Sequence, residues 1–144
     1  MTEADLTRDS FLGGQLHLWQ PAKGYRAATD PVLLAASCLA KPDQSVLELG
    51  CGVGAAILCL AARVPELRLT GVEVQNKYAE LARRNGAELS ADLTVVESDL
   101  ERLPADVKTQ SFDHVILNPP YYGPGQASNA VSYTHLTLPT ILLV

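Results

Sequence analysis

No run in this 144-residue chain approaches the ~20 consecutive apolar residues that a membrane-spanning helix needs. Cysteine is scarce: there are three, at positions 38, 51 and 59, with no CxxC pair, and the three histidines at 17, 114 and 135 lie near none of them at metal-ligand spacing. The reading therefore contains neither a disulfide framework nor a metal site. Cys51, set between two glycines, reads as a small residue tolerated in a turn rather than a reactive thiol. The opening residues Met1-Thr2-Glu3-Ala4-Asp5 carry acid where a secretory or transit peptide carries base. The expected location is cytoplasmic, without a membrane partner. Basic charge is in deficit as well: 11 Lys and Arg against 16 Asp and Glu leave a net charge of −5. That balance argues against a broad nucleic-acid-binding face, although Lys23, Arg26, Arg83 and Arg84 could still form a local patch.

What is present is apolar residue in quantity, 47%, enough for one sizeable core and hence a single domain. The chain is organised around Val46-Leu47-Glu48-Leu49-Gly50-Cys51-Gly52-Val53-Gly54. A short apolar run enters three alternating glycines, and an apolar segment of helical length, residues 55–62, follows: strand, tight turn, helix. Glycine is required where the backbone turns with positive φ or where a ligand must approach the main chain without meeting a Cβ. A helix that starts behind such a turn offers unpaired N–H groups to whatever lies over the loop.

Residues 1–29 mix charge with Gly13, Gly14, Pro21 and Gly24 and predict irregular structure or short strands around 16–19. Asp30-Pro31 supplies an N-cap carboxylate and a proline at the first helical position, predicting a buried helix over 32–40 that Lys41-Pro42 stops. A second strand is expected over 67–73, a helix over 76–85 closed by Gly86, a third strand over 93–96 and a fourth over 114–117. Alternation of strand and helix means a parallel α/β sheet with right-handed crossovers, which brings every strand end to one edge. Glu48, Gly50, Gly52, Gly54, Glu73, Asp99 and Asn118 all fall at such ends. A carboxylate at Glu73, 19 positions past Gly54, suits two ribose hydroxyls.

The glycines fit a dinucleotide pattern as well as E-x-G-x-G-x-G, and Glu48 weighs between them. A carboxylate there repels a pyrophosphate and favours an amino group. Asp99 adds an acceptor suited to the exocyclic amine of adenine. With Glu48-Leu49-Gly50-Cys51-Gly52-Val53-Gly54, Glu73, Asp99 and Asn118-Pro119-Pro120-Tyr121 together, the chain resembles class I S-adenosylmethionine-dependent methyltransferases. The tetrapeptide is similar to the N/D-P-P-Y/F motif of enzymes that methylate planar nitrogens. Phe11-Leu12-Gly13-Gly14, Gln20-Pro21 to Gly24-Tyr25-Arg26 and Asp30-Pro31-Val32-Leu33-Leu34-Ala35 resemble the lead-in of bacterial tRNA (adenine-N6)-methyltransferases acting beside the anticodon of a valine tRNA.

The resemblance implies a Rossmann-like sheet, S-adenosyl-L-methionine as cofactor and a tRNA partner, in a monomer without metal. It implies catalytic roles for Asn118, Pro119 and Tyr121, and cofactor contacts from Tyr25, Asp30, Glu48, Gly50, Gly52, Gly54, Glu73, Asp99 and Asn118. A protein-glutamine N5-methyltransferase and a ribosomal-RNA guanine N2-methyltransferase share the tetrapeptide's logic. A non-catalytic nucleotide-binding module would need the glycines alone. The implied division is a lead-in over 1–29, a methyltransferase domain over 30–125 with about four of seven strands, and a tail over 126–144. That tail, threonine-rich around Val131 to Thr140, is unlike the family and resembles translated sequencing adapter, so an inactive, C-terminally truncated fragment is the expectation for the chain as it stands.

Overall fold

The structure is a computed structural model that describes residues 2–119. Pro120, Tyr121 and the 126–144 tail therefore lie outside the described residues.

The lead-in takes the strand alternative: the expected strand around 16–19 is present and is one arm of a hairpin. Strands β1 (Leu6–Phe11) and β2 (Leu16–Pro21) pair antiparallel in the register Leu6↔Pro21 to Phe11↔Leu16. Gly13 and Gly14 at the tip hold φ of 64° and 92°, the left-handed region that a tight reversal needs. Burial alternates along β2, where Leu16, Leu18 and Gln20 are buried and His17 and Trp19 half-buried. Period-2 alternation of this kind was legible in Leu16-His17-Leu18-Trp19. The polar β1 partner, Leu6-Thr7-Arg8-Asp9-Ser10-Phe11, carries no comparable apolar signal.

Helix α1 (Thr29–Ser37) starts and stops earlier than expected. Its N-cap is Ala28, with no side-chain cap, so Asp30 is the second helical residue instead of the cap. Pro31 still falls where its missing N–H breaks no intrahelical bond, and Asp30 still faces the positive end of the helix dipole. The expected burial on all sides is corrected too: Pro31 and Ala35 are buried, whereas Leu33 is 61% exposed and Leu39, beyond the helix, 80%.

Four parallel strands follow: β3 (Ser45–Leu49), β4 (Arg68–Glu73), β5 (Leu93–Glu97) and β6 (His114–Leu117). Between them lie α2 (Ala55–Arg63), α3 (Asn76–Glu88) and α4 (Ala105–Thr109), the last not expected from the sequence. Helix α3 runs through Gly86 rather than ending before it. A Cβ at that position would come within 3.0 Å of Leu93, so the glycine serves close helix–strand packing and not a stop.

The sheet order is β5-β4-β3-β6. The chain steps outward from β3 to β5 and then returns across the sheet to β6, so the direction of winding reverses between β3 and β6. In an open parallel sheet such a switch leaves a crevice outside the carboxyl ends of the strands. Alternate side chains of β3 serve opposite faces. Val46 joins a core with Leu16, Leu18, Ile57, Leu58, Leu60 and Ile116, whereas Leu47 joins Val72 and Val107 on the other. A buried strand with helices on both faces needs this near-continuous apolar run.

Candidate active site

Leu49 pairs with Leu117 at the last rung between β3 and β6, so Gly50 and Asn118 are the next residues of two adjacent strands. Glu73 ends β4, and Asp99 follows β5 by two residues. The expected groups thus line one edge in the order Asp99, Glu73, glycine loop, Asn118. At about 4.8 Å between strands, the four ends span ~14 Å.

The loop between β3 and α2 is the centre of that row. Gly50, Gly52 and Gly54 have φ of 72°, 55° and 83°. A Cβ on Gly50 or Gly52 would meet nothing within 4 Å, so their main chain borders open space, whereas one on Gly54 would come within 3.2 Å of Leu58. The first two glycines expose backbone and the third permits packing. Cys51 between them is 5% exposed, and burial drives its thiol pKa well above the ordinary value, in keeping with an inert thiol. Its Sγ sits 2.7 Å from where a Cβ on Gly71 would be, which explains the small residue in β4.

The two acids beside the loop are enclosed. Glu73 is 5% exposed, and its carboxylate accepts from Gly52 N at 3.0 Å and from Gln75 N at 2.8 Å. Glu48 is 3% exposed and accepts from Ile57 N, in the first turn of α2, at 3.0 Å. It thereby acts as a remote cap for a helix whose own N-cap, Gly54, has no side chain. Burial pushes Glu48 up to about 8; the Ile57 hydrogen bond opposes the shift and the nearby Glu73 charge adds to it.

Asp99 is different: it is exposed and its carboxylate accepts from Glu101 N at 3.0 Å, capping the turn Leu100–Arg102. Asn118 is half-buried and Pro119 exposed. Tyr25 is 57% exposed, and its backbone hydrogen-bonds the hydroxyl of Tyr78 in the first turn of α3, which brings this part of the lead-in to the same edge. Asp30 remains exposed in the first turn of α1 and is joined to the glycine loop by no hydrogen bond or ion pair.

Two polar residues that sequence reasoning passed over shape the surroundings. Gln20, 1% exposed, donates to Asp9 at 2.8 Å and accepts from Ala27 N at 2.7 Å, and Arg26 completes the cluster with a 2.6 Å ion pair to Asp9. Asn85, fully buried, lies on the same α3 face as Tyr78, Leu81 and Ala82. A polar residue on an apolar stripe was the signal that could have found it. These arginines have partners of their own: Arg8 and Arg84 share Glu88, Arg84 also pairs with Glu3, Arg26 pairs with Asp9, and Arg83 donates to Val95 O.

With this geometry in place, comparison with known proteins decides the family. The family model "Methyltransferase small domain" matches residues 29–137. The chain belongs to this methyltransferase family. A tRNA1(Val) (adenine(37)-N6)-methyltransferase from Porphyromonas gingivalis is 33% identical over 125 residues, covering 79% of this chain and 48% of that protein. The chain thus spans about half the length of the curated relatives it matches. A predicted O-methyltransferase from Agrobacterium tumefaciens superposes with a TM-score of 0.55 at 36% identity, over 64% of this chain and 49% of the other. A Pyrococcus abyssi tRNA (uracil-54, C5)-methyltransferase, in complex with S-adenosyl-L-homocysteine, superposes with a TM-score of 0.61 at 18% identity, over 81% and 28%. The fold is that of the class I methyltransferases.

Membership in this family makes S-adenosylmethionine the methyl donor. The residues fit it: a glycine loop with bare main chain and a buried strand-end carboxylate form a cradle of the right chemistry. Among the described residues no helix is long and apolar enough to cross a membrane, and no cluster of His, Cys, Asp and Glu could hold a metal ion.

Proposed function

We propose that the protein methylates the N6 amine of an adenine in tRNA, the base beside the anticodon of a valine tRNA, acting as a cytoplasmic monomer. The observation that carries this reading is Asn118-Pro119 one step beyond β6, directly across from Gly50 at the switch point. S-adenosylmethionine supplies an electrophilic methyl group on a sulfonium.

The remaining work belongs to the chain. An adenine N6 amine is a poor nucleophile because its lone pair is delocalised into the ring. The Asn118 side-chain oxygen and the Pro119 carbonyl each accept one of its two N–H groups, which favours a pyramidal nitrogen and aims its lone pair. One of those protons leaves to solvent as the N–C bond forms, so no strong base is needed. Pro119 stiffens the loop that holds the acceptors. Tyr121 supplies a stacking face for the base, worth ~1–3 kcal/mol in single-stranded recognition. The loop glycines and Glu73 would hold the cofactor, the bare main chain leaving room for its approach and the buried carboxylate supplying an acceptor for its ribose hydroxyls. Tyr25, Asp30, Glu48 and Asp99 complete the assigned surroundings.

The test is to extend the chain to the full length of its curated relatives, incubate it with methyl-labelled S-adenosylmethionine and unmodified valine tRNA, and digest the product to nucleosides. N6-methyladenosine is expected. Label on a release-factor glutamine or on a guanine N2 would replace this reading, and no label on any of the three would leave only a nucleotide-binding role. Within an active protein, Asn118→Ala should lower turnover by ~10²-fold or more with cofactor affinity nearly unchanged, and equal loss of both would remove Asn118 from the chemistry.

A further inference from the structure

The side chain of Asn85 makes three hydrogen bonds, all to main chain, and they join two parts of the molecule that are distant in sequence. Its Oδ1 accepts from Trp19 N at 2.8 Å, and its Nδ2 donates to Trp19 O at 3.1 Å and to Val53 O at 2.9 Å. The first pair treats the amide as a piece of strand on the open edge of β2, satisfying both backbone groups of Trp19 that face away from β1. The third reaches the carbonyl of Val53, inside the glycine loop. Asn85 is fully buried and its bond to Val53 O is buried as well, so removing the amide would leave that carbonyl without this partner. Elsewhere on the same helix, Glu88 accepts the Trp19 indole N–H at 2.6 Å, and the Arg84 guanidinium lies 3.9 Å from the centre of the Trp19 ring. Those contacts hold the hairpin against α3 without touching the loop.

We infer that Asn85 is a positioning residue that sets the glycine loop's conformation, the cofactor cradle being fully formed only while its amide spans Trp19 and Val53. The loop's other end is fixed independently, by Gly50 N and Cys51 N on Val72 O at 2.8 and 2.9 Å and by Gly52 N on Glu73. Asn85 therefore holds Val53, where the loop becomes helix α2, while Gly54 N donates to Cys51 O at 2.8 Å within the loop.

Hydrogen exchange and calorimetry on the whole chain separate this role from simple stabilisation. Asn85→Ala should raise amide exchange in residues 50–54 and in β2 by about tenfold or more, and weaken S-adenosylmethionine binding by about tenfold, the scale of one lost buried hydrogen bond. Glu88→Ala, which loosens only the hairpin, should raise exchange in β2 and leave residues 50–54 and the affinity unchanged. Unchanged loop exchange in Asn85→Ala, or an equal rise in both variants, would overturn the inference. The affinity measurement rests on the cofactor assignment and the exchange measurement does not, so a wild-type protein that binds no S-adenosylmethionine sinks the assignment while the positioning role is still decided. If Asn85→Ala does not fold, the unmodified protein decides: the Asn85 side-chain amide protons should be protected from exchange, and their resonances should shift when S-adenosylmethionine is added. Rapid exchange, or resonances that stay put in a protein that binds, would refute the positioning role.

Discussion

Glu73 and Asp99 stand at the ends of neighbouring strands of one sheet, and both are acids that the sequence places at a strand end. Glu73 is sealed in, with each carboxylate oxygen receiving a backbone N–H from a different loop. Asp99 is open to water and spends its carboxylate on its own turn. The difference follows from position in the sheet. Strand β4 is flanked by β3 and β5, whereas β5 is an edge strand whose outer side has no neighbour among the described residues. An acid at a central strand end can be preorganised by surrounding main chain, and one at an edge is organised only locally.

The largest expected effect tests how deeply the central acids are enclosed. Glu48 has a folded-state pKa of about 8, above its ordinary 4.5, so its contribution to stability is complete below about pH 4.5 and is lost as pH climbs through about 8. Glu48→Gln keeps an acceptor for Ile57 N without the ionisation. Urea unfolding at pH 9 should show the variant more stable than wild type by on the order of a few kcal/mol, with the difference vanishing near pH 4. Parallel pH profiles for the two proteins would mean that the carboxyl is better solvated than its burial implies.

Next comes the carboxylate assigned to the ribose. Glu73→Ala should weaken S-adenosylmethionine binding by ~1–3 kcal/mol in calorimetry, since buried hydroxyls lose a charged acceptor. Unaltered affinity would reduce Glu73 to a tie between two loops. Gly71→Ala sharpens the same point sterically: a Cβ 2.7 Å from the Cys51 sulfur should cost ~1–3 kcal/mol of stability by overpacking. The double change with Cys51→Ala should recover most of the loss, and no recovery would place the strain elsewhere. The smallest effect belongs to the edge. Asp99→Ala should change stability by under ~1 kcal/mol, the scale of a lost cap, and cofactor affinity by less than Glu73→Ala does. An Asp99 effect as large as that of Glu73 would break the contrast between centre and edge.

Much of this arrangement was legible before any coordinates. The apolar run into three glycines predicts strand, turn and helix, and the structure has β3, the loop and α2 there. His114–Leu117 is a strand with the predicted bounds. The misreadings come from local signals that fit more than one boundary and from packing partners outside the local pattern. Asp30-Pro31 has the form of a helix start, yet α1 begins at Thr29. Gly86 has the form of a helix stop, yet α3 continues because Leu93 needs the space a side chain would fill. Strand β1 shows weak apolar alternation, since much of its holding comes from the Asp9, Gln20 and Arg26 cluster and from pairing with β2. Asn85 was unreadable as a link because its partners lie 66 and 32 positions away.

That separation has a temporal side. The hairpin leaves the ribosome before α3 does, since its seat on that helix is translated some 66 residues after Trp19. At the usual ~5–20 residues per second, β1 and β2 wait roughly 3–13 s for the helix that holds them. A two-stranded hairpin alone is marginally stable in water. During that interval Trp19 and the apolar side of β2 are within reach of other chains, so the hairpin is made well before it is secured.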